Sequence, residues 1–441
     1  MHQQVHAQRF TVPFGRGTIE FGLPDDLTGS IASTPAAPIV SDPAAAARVA
    51  IARPIASPPL RRLAKDKQNV CIAVTDATRA CPDHILVPAM LDELHAGGVT
   101  DDAITILVAV GAHRASTLDE KREKLGAAIV ERYRIIDHDG QDDANLLPVI
   151  DGPVGEPFRV SRIAIESDLL LATGVVEPHQ YAGYSGGGKT VAIGCGDENT
   201  IAYTHGPAML DQPGTRLAQV DGNPFQTVVR RVAAAANLAF VGNAILNDDA
   251  QIVAIAYGAP NAVHDELATI AAPLFTTTIP SQVDIAIAGV GYPKDANLYQ
   301  ASRAASYLQF APVPVVRPGG VIIIPAACPE GAGKGVGEQR FLEAMSAAGG
   351  PREIIDRARR EGIRPGAQRA FVMARVLEEA SVIVAGIEDS SLARQVGFMP
   401  ATNIDEALAI AIEQVGTPAS VLVVPHALLT LPIVNPAMVA G

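Results

Sequence analysis

Polar residues able to do chemistry recur at one kind of place in this sequence, just after short apolar runs. Asp76 and Arg79 follow NVCIAVT, His113 follows AITILVAV, and His179 and Lys189 follow SDLLLATGVV. Further on, Tyr299, Gln300 and Arg303 follow VDIAIAGV. A neutral imidazole can take or return a proton near pH 7. A guanidinium can grip a carboxylate through two parallel bonds. Gln300 and Arg303 lie three apart, so on a helix they share a face. Asp76, Ala77, Thr78 and Arg79 form one short loop that can offer a carboxylate, a hydroxyl and a guanidinium together.

Lys189 is harder to read. From Gly183 to Thr190 the sequence GYSGGGKT satisfies the phosphate-loop pattern G-x-x-x-x-G-K-[ST]. A true phosphate loop needs a strand running into the first glycine and an unbroken helix from the lysine onward. Here EPHQYA separates the apolar run from Gly183. Gly194 and Gly196 would each cost such a helix about 1 kcal/mol, and Asp197 reads as the N-cap of a later helix. A nucleotide hydrolase or kinase and a flexible glycine loop with a solvated lysine are both weaker readings.

The elements that must hold these residues follow a repeated rhythm of apolar run, polar loop and amphipathic helix. Strands are expected at 69–75, 103–110 and 167–176, then at 283–290, 319–328, 380–387 and 419–426. Thr117 to Glu120 has the form of a capping box. Val/Ile/Leu-rich runs alternating with helices predict an α/β fold of two domains. Each has a mostly parallel sheet flanked by helices. Residues 9–22 alternate around Gly15-Arg16-Gly17 and read as a hairpin, and a short helix is expected near 43–51. The expected division is an N-terminal cofactor-binding and catalytic domain over 1–275 and a C-terminal domain over 280–415. The tail 416–441 is expected to return to the first domain, and 276–284 to form a hinge. Loops at the carboxyl ends of strands are where open α/β sheets bind ligands, so the site is expected in the cleft between the domains.

Composition excludes several classes. Of the 441 residues 48% are hydrophobic and 18% charged, which supports packed cores rather than a disordered chain. A net charge of −13 argues against nucleic acid or an anionic membrane as the main partner, though not against a small anionic substrate. Four scattered cysteines form no CxxC pair, the first residues carry no secretory apolar run, and no stretch of about 18 apolar residues occurs. The expectation is a cytoplasmic protein, monomer or homo-oligomer.

Taken whole, residues 174–206, GVVEPHQYAGYSGGGKTVAIGCGDENTIAYTHG, resemble the nickel-dependent lactate racemase family, which carries P-H-x-[FY]-A-G-[FY]-S-G-G-x-K and a later histidine. TDATRACP (75–82) is similar to the family's S/T-D-x-T-R-x-x-P, and VGAHRAST (110–117) to its G-[TA]-H-R. GYPKDANLYQASRA (291–304) is similar to its G-Y-P-x-D-x-N-[LM]-Y-Q-x-x-K. The resemblance implies a racemase or epimerase of a short, lactate-like 2-hydroxy acid. It implies a nickel-pincer nucleotide, a nickel-bearing pyridinium-3,5-bisthiocarboxylate mononucleotide tethered through Lys189. It further implies His205 as the nickel ligand and His113 and His179 as paired acid–base catalysts. Asp76, Ala77, Thr78 and Arg79 would form the cofactor and substrate loop, with Tyr299 touching the cofactor and Gln300 and Arg303 the substrate. Gly186 and Gly187 would approach the cofactor phosphate.

The chemistry suits these residue types. The α-hydrogen of a 2-hydroxy carboxylate is a poor acid, because the carbanion would sit beside a carboxylate. Hydride removal avoids that anion and gives a planar 2-oxo acid, while a histidine takes the hydroxyl proton. Two positions depart from the family: Gly188 stands where it usually has Arg, and Arg303 where lactate racemases typically have Lys. A forked guanidinium is not equivalent to an ammonium, so the substrate can differ from lactate. A non-catalytic carrier of the cofactor is the remaining alternative; it would need Lys189 and His205 but not both His113 and His179.

Overall fold

The computed structural model describes residues 8–152, 155–247, 249–347, 349–364 and 366–435. The chain divides into two compact units, one continuous over Ala36–Leu274, the other made of the segment up to Pro35 together with the chain from Phe275 onward.

The continuous unit is built on a six-stranded sheet. Its spatial order is Ile252–Gly258, Leu238–Leu246, Leu169–Val175, Val70–Thr75, Ile104–Ala109, Arg134–Asp137. All neighbours are parallel except the first pair. Every residue of Val70–Thr75, Ile104–Ala109 and Leu169–Val175 is buried, as expected for strands covered on both faces. Strand order reverses between Val70–Thr75 and Leu169–Val175, and such a switch point opens a crevice at the carboxyl ends of the strands. The loop Asp76–Arg79 leaves one of these two strands and the segment leading to Lys189 leaves the other.

The second unit holds another six-stranded sheet, ordered Met399–Ala401, Ala380–Ala385, Val316–Pro325, Val283–Ala288, Ala419–Val424, Leu27–Ile31, with every pair parallel. Its own switch point lies between Val283–Ala288 and Ala419–Val424. The hairpin Arg9–Phe14 with Gly17–Gly22 forms as expected, and Phe10, Val12 and Phe21 enter the core of this unit. The expected helix near 43–51 is Pro43–Ile51, capped by Asp42, whose side chain accepts from the Ala45 N–H at 2.9 Å.

These pairings correct the expected domain bounds. Residues up to Pro35 belong with the C-terminal unit because Leu27–Ile31 extends its sheet beside Ala419–Val424. For the same reason the tail does not return to the N-terminal unit. Leu431–Val434 pairs with Thr276–Ile279, so the segment expected as a hinge is itself partly a strand.

One buried carboxylate ties the switch point of the continuous unit together. Asp83 is fully buried at the start of the helix Asp83–Ala96. It accepts from the Thr75 hydroxyl at 3.1 Å, at the end of one central strand, and from the Thr173 hydroxyl on the other. The Lys124 ammonium lies 3.1 Å from it and also donates to the carbonyls of Arg79, at 2.7 Å, and Cys81, at 3.0 Å. A buried charge without its partner is strongly unfavourable. Lys124→Met keeps the apolar stem and removes the charge. It is expected to lower stability by about 3 kcal/mol, read as a lower urea midpoint at unchanged slope.

Candidate active site

The Asp83 anchor presents the loop Asp76–Arg79 at the carboxyl edge of the sheet. Asp76 is 4% exposed, and its carboxylate faces inward to two partners. The Thr78 hydroxyl donates to Oδ1 at 2.8 Å, and His113 Nδ1 lies 2.7 Å from Oδ2. Burial alone would raise the Asp76 pKa. The bonds from His113 and Thr78, with the nearby Arg79 charge, outweigh it and hold the carboxyl below its ordinary value. Asp76 is therefore ionised at neutral pH. Ala77, Thr78 and Arg79 are exposed. The Arg79 guanidinium has no ion pair among the described residues, which leaves its fork open to an anion.

His179 sits in a small hairpin that pairs Pro178–His179 with Gly183–Tyr184. Its Nδ1 accepts the backbone N–H groups of Tyr181, at 3.2 Å, and Ala182, at 3.1 Å. His205 caps the helix Glu198–Thr204, whose N-cap is Asp197, as expected. Its Nδ1 lies 3.1 Å from the Ile201 carbonyl, so Nδ1 carries the hydrogen and Nε2 keeps a bare lone pair. Burial, then the charge of Lys189, pushes the His205 pKa down to about 3. Tyr181 and Phe225 bridge the two histidines: Phe225 is 5.8 Å from the His179 ring and 5.2 Å from the His205 ring, centre to centre. Tyr181 is 5.7 Å and 5.6 Å from the same two rings. Sequence reasoning missed both aromatic residues, although Tyr181 lies inside the motif that singled out His179.

Lys189 lies in the same neighbourhood. Burial, then the Arg79 charge, lowers its pKa to about 7 against the opposing pull of Glu177 and Asp76. Lys189 is thus close to half neutral at pH 7. The segment before it is no phosphate loop. The small hairpin intervenes after Leu169–Val175, and Thr190–Gly194 makes a single π-helical turn rather than a long helix. Gly183 to Gly188 are all buried. Gly187 donates to Asn243 Oδ1 at 2.7 Å, and the Ser185 hydroxyl donates to the Val175 carbonyl at 2.6 Å. A Cβ on Gly186 would meet Val176 at 2.6 Å, and one on Gly187 would meet His264 at 2.9 Å. Gly186 and Gly187 therefore stand at positive φ with no room for a side chain. Asn243, which no sequence signal marked, fixes the loop from the neighbouring strand.

In the second unit, the residues after Val283–Ala288 turn through Asn297, whose side chain caps the helix Leu298–Ala301. Gln300 and Arg303 meet as expected, with Arg303 donating to Gln300 Oε1 at 3.3 Å. Arg303 also donates to the Tyr307 hydroxyl at 3.0 Å. Tyr299 packs edge-on against Phe341 and faces the guanidinium of Arg369, 5.5 Å from the ring centre.

A doubly wound α/β unit carrying a carboxylate-backed imidazole, a second imidazole and a lysine of lowered pKa has the groups that an enzyme moving protons beside an amine would need. Comparison with known proteins narrows this. A model of the lactate racemase N-terminal domain matches residues 14–218, and one of the lactate racemase C-terminal domain matches residues 277–431. The chain is 31% identical to a lactate racemase of Thermoanaerobacterium thermosaccharolyticum over 426 residues, covering 94% of this chain and 96% of that protein. It is 33% identical to a lactate racemase of Lactiplantibacillus plantarum, covering 85% of this chain and 87% of the other. The structure of the lactate racemase apoprotein from T. thermosaccharolyticum superposes with a TM-score of 0.85 at 28% identity, covering 96% of this chain and 100% of that one. A crystal structure of a Thermotoga maritima protein, at 19% identity and a TM-score of 0.61, shares the fold. The chain belongs to the lactate racemase family.

Against that family, Gly188 has a local cause. A Cβ there would stand 2.5 Å from the Ala233 Cβ, on the helix Pro224–Ala235. Neither an arginine nor an alanine fits without moving the helix. Gly188→Ala is expected to cost about 1–3 kcal/mol. Adding Ala233→Gly should recover part of that loss, beyond the roughly 1 kcal/mol that glycine costs a helix. Urea unfolding of the two single variants and the double variant reads the coupling; strict additivity would show that the close approach is not what Gly188 provides.

Proposed function

We propose that the protein is a 2-hydroxyacid racemase working with a nickel-pincer nucleotide. The observation that carries the reading is that His205 feels the charge of Lys189: burial lowers the lysine pKa to about 7, and His205 Nδ1 faces the Ile201 carbonyl, which leaves Nε2 as the lone pair. These suit a group that is tethered through an amine and carries its own soft donors to the metal. Among the described residues no cluster of three or more His, Cys, Asp or Glu could hold a metal ion. A group that brings most of its metal's donors needs only one protein ligand, and borderline-soft nickel accepts imidazole readily. When bound, the cofactor would supply a hydride acceptor at the substrate carbon.

The chain's own residues would do the rest. The exposed Arg79 fork holds the substrate carboxylate. His113 takes the hydroxyl proton at Nε2, and the resulting imidazolium is stabilised by the Asp76 carboxylate 2.7 Å from Nδ1. His179 faces the opposite hand of the substrate. The Tyr181 and Phe225 rings pack against the imidazoles of His179 and His205.

Produced in a host that makes the cofactor, the protein is expected to carry nickel and to interconvert the enantiomers of at least one short 2-hydroxy acid in a chiral assay. His113→Ala should lower turnover about 10²–10⁴-fold with nickel retained, whereas His205→Ala should lose the nickel. Full turnover of the His113 variant would reject its role. Lys189 is also testable without the cofactor. A lysine of ordinary pKa near 10.4 is neutral in only about 1 molecule in 10³ at pH 7. Lys189 should therefore be the lysine most rapidly acetylated by acetic anhydride at pH 7. Its rate should rise from pH 6 to 8 and then level off while the other lysines keep accelerating, read by peptide mass spectrometry.

A further inference from the structure

The two histidines assigned to acid–base work sit in opposite hydrogen-bond environments. On His113, Nδ1 is 2.7 Å from Asp76 Oδ2. Asp76 is ionised, and a carboxylate can only accept. Nδ1 of His113 must therefore carry hydrogen, which in the neutral ring leaves Nε2 as a lone pair. On His179, two backbone N–H groups, from Tyr181 and Ala182, point at Nδ1 from 3.2 and 3.1 Å. Backbone amides can only donate there, so Nδ1 must be the lone pair and the hydrogen must lie on Nε2. The assignment follows from the partners on each ring and needs no choice of tautomer beforehand.

We infer that the resting enzyme is asymmetric: His113 is a base at Nε2, backed by Asp76, while His179 is a hydrogen-bond donor at Nε2, held in that tautomer by the Tyr181–Ala182 turn. The inference rests on the racemase reading for its chemistry and on geometry alone for the tautomers. When the substrate hydroxyl faces His113, its proton passes to Nε2, and the ring becomes an imidazolium paired with the Asp76 carboxylate. His179 keeps its own proton in that step and lends only a hydrogen bond. A second proton on His179 would have to sit on Nδ1, facing two N–H donors, so this ring must give up both backbone bonds before it can carry a positive charge. The two hands of the substrate thus meet different enzyme states, and the proton held on Nε2 of His113 must pass back to the substrate oxygen, directly or through water, as the hydride returns.

Asp76 is then a positioning residue for His113, and one substitution separates this from a general structural role. The Thr78 hydroxyl donates to Oδ1 of Asp76 at 2.8 Å, so in Asp76→Asn the amide oxygen stays on the Thr78 side and the amide nitrogen faces His113. That nitrogen donates, which moves the hydrogen of His113 from Nδ1 to Nε2 and removes the base. Asp76→Glu keeps an acceptor-only group.

The test is nitrogen NMR of the protein with ¹⁵N-labelled histidine and no substrate, near neutral pH, with the signals of the two rings assigned through His113→Ala and His179→Ala. Expected are hydrogen on Nδ1 of His113 and on Nε2 of His179, with Asp76→Asn switching His113 to Nε2 and Asp76→Glu leaving it on Nδ1. Both rings protonated on the same nitrogen in the unaltered protein would overturn the proposal, as would an Asp76→Asn protein in which His113 keeps its hydrogen on Nδ1. In the loaded enzyme, Asp76→Asn should cut turnover by about 100-fold or more with nickel retained. A failure of the racemase reading shows separately, as two distinct tautomers with no racemisation of any 2-hydroxy acid supplied.

Discussion

Asp83 and Lys124 form the contact on which the site depends. A carboxylate with no exposed surface cannot remain charged unless its oxygens are filled. Here they are filled by the ends of the two central strands and by one ammonium. The hydroxyls of Thr75 and Thr173 fix the spacing of the strands where their order reverses. The remaining donor capacity of Lys124 is spent on the carbonyls of Arg79 and Cys81. The loop bearing Asp76 and Arg79 is thereby shaped by the same charge pair that closes the sheet. A surface ion pair could not impose this, because water would replace either partner at little cost.

From this anchor the site builds outward in layers. The backbone of the glycine segment is pinned by Asn243 and Ser185, which sets where Lys189 leaves the loop. The Phe225 and Tyr181 rings hold the two imidazoles at fixed separations, and the backbone turn after His179 chooses the face that ring presents. His113, His179 and His205 are each held by a partner that itself has few alternatives, which is the condition for precise geometry without a bound ligand.

Much of this was legible in the sequence, and the parts that were not share a cause. The long Val/Ile/Leu runs gave their strands because burial on both faces leaves a continuous apolar signature. Leu27–Ile31 gave none: LTGSI buries only its first residue, and its place is decided by a partner strand near the other end of the chain. The domain bounds failed at that point. Among site residues, the motifs located His113, His179, Lys189 and His205, but not what each one touches. The bond from Asp76 to His113 spans 37 positions, and Asp83 looks like any first-turn carboxylate. The glycines were read for backbone freedom, whereas their lack of a side chain matters as much, since Val176, His264 and Ala233 occupy the space where one would go.

The pairing of Leu27–Ile31 with Ala419–Val424 also sets a timetable for synthesis. The unit Ala36–Leu274 is complete once its last helix leaves the ribosome, and it can fold while the rest is still being made. The first strand of that sheet to be made must wait for the last. With about 390 residues between them, and translation at roughly 5–20 residues per second, that wait is on the order of 20–80 s. Through that interval an unpaired strand edge hangs from an already folded unit, open to the same strand on a neighbouring chain. Crowding of ribosomes on one message would bring such waiting strands close together, and a holding chaperone would keep them apart.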